Sequence, residues 1–188
     1  MRAMKYLLSA LAVLSSTAAA LDLTPQEGFK DLEGFKMPVI RFADGARKVT
    51  WRPPADWRMS FEDGRLLLLA KAYTHASVEL RVVRRVAGDT DMLSRPAALE
   101  RYLGNLLPKT AKGASVTGTV EGAFTINGIA AREFLFDFQE PSHPSRGSIG
   151  IVDLNDRERL LVLITSQPRD FEQVRAAGVE SMFSWQEE

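Results

Sequence analysis

The 188-residue sequence contains no cysteine. That removes a disulfide framework, a thiolate metal site and the lipid-carrying cysteine of a bacterial lipoprotein, so apolar burial has to hold the fold. Histidine is nearly as scarce, with His75 and His143 the only two. A zinc site takes three or four ligands at defined spacing, and two histidines without cysteine do not supply them. Neither sign of charge predominates, with 24 basic and 24 acidic residues. A nearly neutral chain has no electrostatic footprint for a polyanion, which argues against nucleic acid as a partner. The apolar stretch 6–15 (YLLSALAVLS) is about half the roughly 20 residues that a membrane-spanning helix needs.

What that stretch does have is the layout of a secretory leader. Arg2 and Lys5 form a short positive region ahead of it, and Ala18, Ala19 and Ala20 follow it with the small side chains a signal peptidase pocket admits. Cleavage is expected after Ala20. It would take away Arg2 and Lys5 and no acid, leaving 22 basic against 24 acidic residues, a net charge of −2. The mature chain is expected to be soluble, without a membrane anchor, and secreted or periplasmic. Residues 1–20 are thus read as signal peptide, 21–38 as an irregular, glycine-punctuated arm, and 39–188 as a single domain long enough to bury a core.

Within that domain the pattern is mostly β. Short strands are expected over 39–42 and 48–52, split by Asp44-Gly45, and then over 57–61, 66–71 and 77–85. Pro53-Pro54 cannot extend a ladder, because proline lacks the N–H. Leu99, Leu103, Leu106 and Leu107 fall on one helical stripe between Ser94, a candidate N-cap, and Pro108. Strands at 115–126 and 129–139 flank Asn127-Gly128, a dipeptide suited to a type I′ turn. Phe134, Phe136 and Phe138 share one face of the return strand, with Glu133 on the other, which is expected to tolerate change. A loop at 139–146 precedes strands at 148–154 and 159–165, and 160–164 is apolar on both faces, as a central strand would be. Asp170 and Gln173 fit a capping box at the start of a last helix. Strands, helix, four strands and helix, joined by hairpins, predict an α+β fold: one twisted, mostly antiparallel sheet with helices packed on it.

No motif for catalysis or cofactor binding emerges, so no cofactor and no enzyme activity are expected. Ser142-His143 suggests a hydrolase pair, but neighbouring loop residues rarely meet a triad's geometry, and Gly147-Ser148-Ile149-Gly150 has the wrong spacing for a nucleophile elbow. Asp89-Thr90-Asp91 is followed by Leu93 and Arg95 where a calcium loop needs oxygen ligands. Pro108-Lys109-Thr110 lacks the glycines of a phosphate loop. Arg81, Arg84 and Arg85 make the most basic spot, and with Glu79 beside them they read as a mixed-charge, solvated sheet edge.

The segment Trp51-Arg52-Pro53-Pro54-Ala55-Asp56-Trp57, followed by the hairpin Ile126-Asn127-Gly128-Ile129-Ala130-Ala131, a central strand at 160–164 and a terminal helix, resembles the PsbP-like and DcrB-like α/β/α domains. The resemblance runs from about residue 49 to 185 in element order. It implies an α/β/α sandwich and a non-enzymatic accessory, assembly or binding role, with no shared catalytic residues to carry over. The leading expectation is therefore an envelope module that binds a protein partner, with a small-molecule or lipid carrier as the alternative and an unrecognised hydrolase as the third reading. A binding surface is expected at Trp51, Trp57 and His143, if their two proline-stiffened loops lie at one end of the sheet. The competing reading of both tryptophans is core packing.

Overall fold

Proline decides how many sheets the chain makes. The computed structural model describes residues 20–45, 47–85 and 95–188, so leader residues 1–19, Asp89-Thr90-Asp91 and Ser94 lie outside the described residues. Strands β1 (Gln26–Leu32), β2 (Phe35–Asp44) and β3 (Arg47–Trp51) form one antiparallel meander. At Pro53-Pro54 the ladder stops, and the chain passes to a second sheet. That sheet contains β4 (Trp57–Glu62), β5 (Arg65–Ala70), β6 (Ser77–Arg84), β7 (Lys112–Ile126), β8 (Ile129–Gln139), β9 (Pro144–Asp153) and β10 (Glu158–Ser166). Its order is β4-β5-β6-β10-β9-β8-β7 with every pairing antiparallel, and β10 is its central strand. A two-residue strand, β11 (Gln186–Glu187), returns to pair with β3. The α+β, antiparallel class holds, but with two sheets where the sequence suggested one.

Among the described residues two helices close the fold, α1 (Pro96–Leu106) and α2 (Phe171–Met182). On one face of the large sheet, Leu99, Leu103 and Leu107 from the first helix and its end pack on Phe134, Phe136 and Phe138, together with Ile149, Ile151, Leu161 and Leu163. On the other face lie Val78, Leu80, Leu160, Val162 and Ile164, covered jointly by α2 and by the small sheet's Phe42, Val49 and Trp51. Gly178 lets α2 sit down on that face, because a Cβ there would be 2.8 Å from Ile164 Cδ1 and 3.1 Å from Val78 Cγ2.

The arm assigned to 21–38 is not irregular. Glu33 and Gly34 both adopt positive φ, 52° and 89°, the pair a type I′ turn requires, and they join β1 to β2 in register Leu32 to Phe35. Leu21 and Leu23 ahead of them are buried in the core. Three smaller expectations also fall. Strand β9 begins at Pro144, so the preceding loop is a tight one closed by the Glu140 N–H on the His143 carbonyl at 3.0 Å. Asp170 makes no side-chain cap, because its backbone is already helical (φ −101°, ψ −7°) where a capping residue is extended. Glu133 does face away from the phenylalanines, but it is buried against α2, where Arg175 grips it with Nε on Oε1 at 2.9 Å and Nη2 on Oε2 at 2.5 Å.

Candidate functional site

The first helix covers only part of its face of the large sheet. Beyond its C-terminal end, β5 and β6 remain open as the floor of a groove of 970 Å³. Leu67 and Leu69 alternate inward there from β5, and Glu79 and Arg81 from β6, with Leu106 and Leu107 as the helix-side wall. Leu69 stays 46 % exposed. Glu79 is buried in this floor, receives a hydrogen bond from Arg81 Nε, and lies 3.9 Å from Arg65 Nη1. The basic spot is therefore largely committed to partners, since Arg85 Nη2 also meets Asp153 at 3.4 Å.

At one end of the groove the two histidines meet. Their rings, 68 positions apart in sequence, lie with centroids 4.4 Å apart and planes tilted by 42°. His75 holds the left-handed conformation (φ 62°) in the connector from β5 to β6, and its ring reaches the loop ahead of β9. His143 Nδ1 is 2.8 Å from Ser142 Oγ, so the neighbouring side chains do meet. The rest of a triad does not follow. His143 Nε2 is buried without a hydrogen bond, and its nearest carboxylate, Glu140 Oε2, stands 3.8 Å away. A triad needs that second nitrogen bonded to an orienting carboxylate, within about 3 Å. No group of three or more His, Asp or Glu side chains able to hold a metal occurs among the described residues.

A second open groove, of 810 Å³, lies on the opposite face, between the small sheet, the Pro53-Pro54 turn and α2. Trp57 lines it together with Phe29, Pro38 and Pro54. Trp51 does not belong to either groove. It is fully buried, stacks on Phe42 at 6.2 Å and donates its indole N–H to the Ser181 carbonyl at 3.1 Å, so as a surface anchor it is corrected to a core residue. The register places Trp57 opposite Ala70, Ser77 opposite Thr165, and Thr165 opposite Gly147. Trp57, the His75 connector and the His143 loop thus share one end of the large sheet. They face different grooves, so they do not form one surface.

The residues that sequence reasoning passed over lie on the β1–β2 hairpin. Phe35 is 80 % exposed, Phe29 61 % and Leu32 43 %. Leu32 and Phe35 are cross-strand neighbours at the tip on one face of the hairpin, whereas Phe29, opposite Pro38, lies on the other face and lines the Trp57 groove. The signal was present in Glu33-Gly34, a turn dipeptide flanked by apolar residues on both sides. β1 is also an edge strand, with only β2 beside it among the described residues.

No protein-family model matches the sequence, and no curated protein is similar to it in sequence. Among solved structures, the fold is similar to cyanobacterial PsbP (CyanoP) from a Synechocystis species, with a TM-score of 0.51 and 8% identity, over 79% of this chain and 91% of that one. It is also similar to LpqN, a protein involved in cell envelope biogenesis of Mycobacterium tuberculosis, with a TM-score of 0.48 and 13% identity over 88% and 91%. A protein from Bacteroides thetaiotaomicron matches with a TM-score of 0.45 and 13% identity, and there this chain, matched over 73% of its length, spans only 44% of the other. The likeness to CyanoP bears out the PsbP-like α+β fold expected from the Pro-Pro-Ala-Asp-Trp and Ile-Asn-Gly motifs, and at this identity it concerns fold alone.

Proposed function

We propose that the chain is exported by its leader, is cleaved after Ala20, and works in the cell envelope as a non-enzymatic module that binds a protein partner. The partner sits on the β1–β2 hairpin and the adjoining Trp57 groove. The observation that carries this reading is the exposure of Phe29, Leu32 and Phe35 on one hairpin. Large apolar side chains left exposed together on one element mark interaction sites, and here the Leu32–Phe35 pair covers one face of the hairpin and Phe29 the other. The free edge of β1 adds backbone donors and acceptors for a strand of the partner to pair with. A lipid carrier calls for an enclosed apolar space, whereas both grooves are open and the larger has Glu79 and Arg81 in its floor. Among the described residues, no helix is long and apolar enough to cross a membrane.

A photo-crosslinking amino acid placed at position 35, with position 69 in the other groove as control, tests the reading in the native host. The expected result is one crosslinked envelope protein from position 35 and none from position 69, on a chain whose mass begins at Leu21. A full-length chain retained in the cytosol, or equal crosslinking from both positions, would overturn it.

A further inference from the structure

The N-terminal end of the described chain runs into the core, not away from it. Leu21 and Leu23 are buried, and the Leu21 N–H donates to Glu158 Oε1 at 2.8 Å. Glu158, the first residue of β10, keeps only 7 % of its side chain exposed. Its other oxygen accepts from Asn155 Nδ2 at 2.6 Å and from the Arg47 guanidinium. Arg47 in turn bonds Glu187 Oε1 through Nε at 2.8 Å. Arg47 and Glu187 belong to the small sheet and Glu158 to the large one, so the cluster is a joint between the two.

The charges in that joint do not balance. Two carboxylates share one guanidinium, and no other cation pairs with either among the described residues. Glu158 is the buried one of the two, and its Oε1 is met only by a neutral N–H, so the joint has room for one more positive group at that oxygen. The residue whose nitrogen already points at Glu158 is the one that the leader's small-residue pattern predicts as first after cleavage. These are separate observations, one from residues 1–20 and one from the packing of 21 against 158.

We propose that Glu158 is the docking site for the α-ammonium of Leu21, created by cleavage after Ala20, and that this charge locks the two sheets of the mature protein together. The inference rests on the export reading above and adds a consequence to it. Hydrolysis of the Ala20–Leu21 bond breaks the amide C–N bond and adds water: a carboxylate is left on Ala20, and the released amine takes a proton. One neutral N–H becomes three donors bearing a full charge. The bond is already charge-assisted on the acceptor side, and the ammonium adds the opposite charge on the donor side, completing a second ion pair on Glu158. Burial by itself would raise the Glu158 carboxyl, but the hydrogen bonds from Arg47, Asn155 and the Leu21 N–H outweigh it and hold the group below its usual range, ionised to receive a cation. The precursor, with a peptide nitrogen at the same place, has the looser joint.

The test compares purified chains starting at Leu21 and at Ala20, each with and without Glu158→Gln, all released from a fusion that leaves the native terminus. The Leu21 form is expected to melt about 3–8 °C above the Ala20 form, the range that one charge-assisted bond gives in a domain of this size. Glu158→Gln is expected to abolish that difference. An amine-reactive label near neutral pH should modify the Leu21 terminus at least tenfold more slowly than the Ala20 terminus. If the Gln variant does not fold, the two unsubstituted starts still decide. Equal melting points would overturn the lock, and equal labelling would overturn the docking of the ammonium on Glu158. Mass analysis of the exported chain reads the other premise: a start elsewhere would sink the processing step and the lock with it, whereas equal melting on a chain that does begin at Leu21 would sink the lock alone.

Discussion

The two faces of the large sheet are built from similar residues and finished differently. The face under α2 and the small sheet is closed over the central strands and opens only at the Trp57 groove by β4: its aliphatic side chains are sealed, its buried carboxylate Glu133 is gripped by Arg175, and its helix approaches through a glycine. The face under α1 is closed over β8 and β9 and open over β5 and β6, where Leu69 and Arg81 border a groove. The difference shows how a seven-stranded sheet with one short helix on a face divides its work. Stability resides where two layers cover the strands, and access is left where a single 11-residue helix cannot reach.

The closed face can be broken at its ion pair. Arg175→Ala would leave a carboxylate with 1 % exposure unpaired, and a loss of about 3–5 kcal/mol is expected in chemical denaturation of the mature chain. Glu133→Ala leaves instead an arginine that keeps 22 % of its side chain exposed and can reach water, so about 2–3 kcal/mol is expected. Losses under about 0.5 kcal/mol, as ordinary surface sites give, would mean that the pair is solvated and the face is not closed.

Glu133 also marks where the sequence stopped being informative. Alternation in β8 correctly separated Glu133 from Phe134, Phe136 and Phe138, because side-chain direction in a strand follows a period of two. Alternation says which face a residue is on, not what covers that face. The cover is α2, about 40 residues further along the chain, and that pairing is a tertiary fact. Local chemistry was legible throughout: Asn127-Gly128 adopts the two positive φ values its turn requires, and β10 is central as its unbroken apolar run implied. The β1–β2 hairpin is hard to read from sequence because two glycines in a mixed segment look irregular, although Gly34 makes the turn. At the candidate site, the Trp57 groove and the pairing of His75 with His143 depend on which loops share an end of the sheet. That follows from strand order, and strand order crosses from β6 to β10 past three intervening strands.

The two helices offer a change of opposite sign. Alanine is favoured over glycine in a helix by about 1 kcal/mol. At Gly104 in α1 a Cβ meets nothing within 4 Å, so Gly104→Ala is expected to stabilise by about 0.5–1 kcal/mol. At Gly178 in α2 the same Cβ presses on Ile164 and Val78, and overpacking of about 1–3 kcal/mol outweighs the propensity gain. A net loss of about 1 kcal/mol is expected there. Thermal melts of the two variants side by side read the signs directly. Stabilisation by both would show that α2 sits off the sheet far enough to admit a methyl group.

The smallest expected effect is the one that separates the faces at a single step along β5. Leu68 and Leu69 are adjacent, have the same side chain, and point to opposite sides of the sheet. Leu68 is sealed beneath the small sheet, while Leu69 lies in the groove floor with nearly half its surface in water. Truncating a buried leucine removes its transfer energy and leaves a cavity, about 2–5 kcal/mol together, so Leu68→Ala supplies the scale. Leu69→Ala removes methyl groups that have no layer above them, and a change within about 0.5 kcal/mol is expected. Urea denaturation of both variants at one temperature makes the comparison. A cost at Leu69 approaching that at Leu68 would mean that something covers the groove in solution, and that the open face is a closed one whose cover belongs to another molecule or another part of the chain.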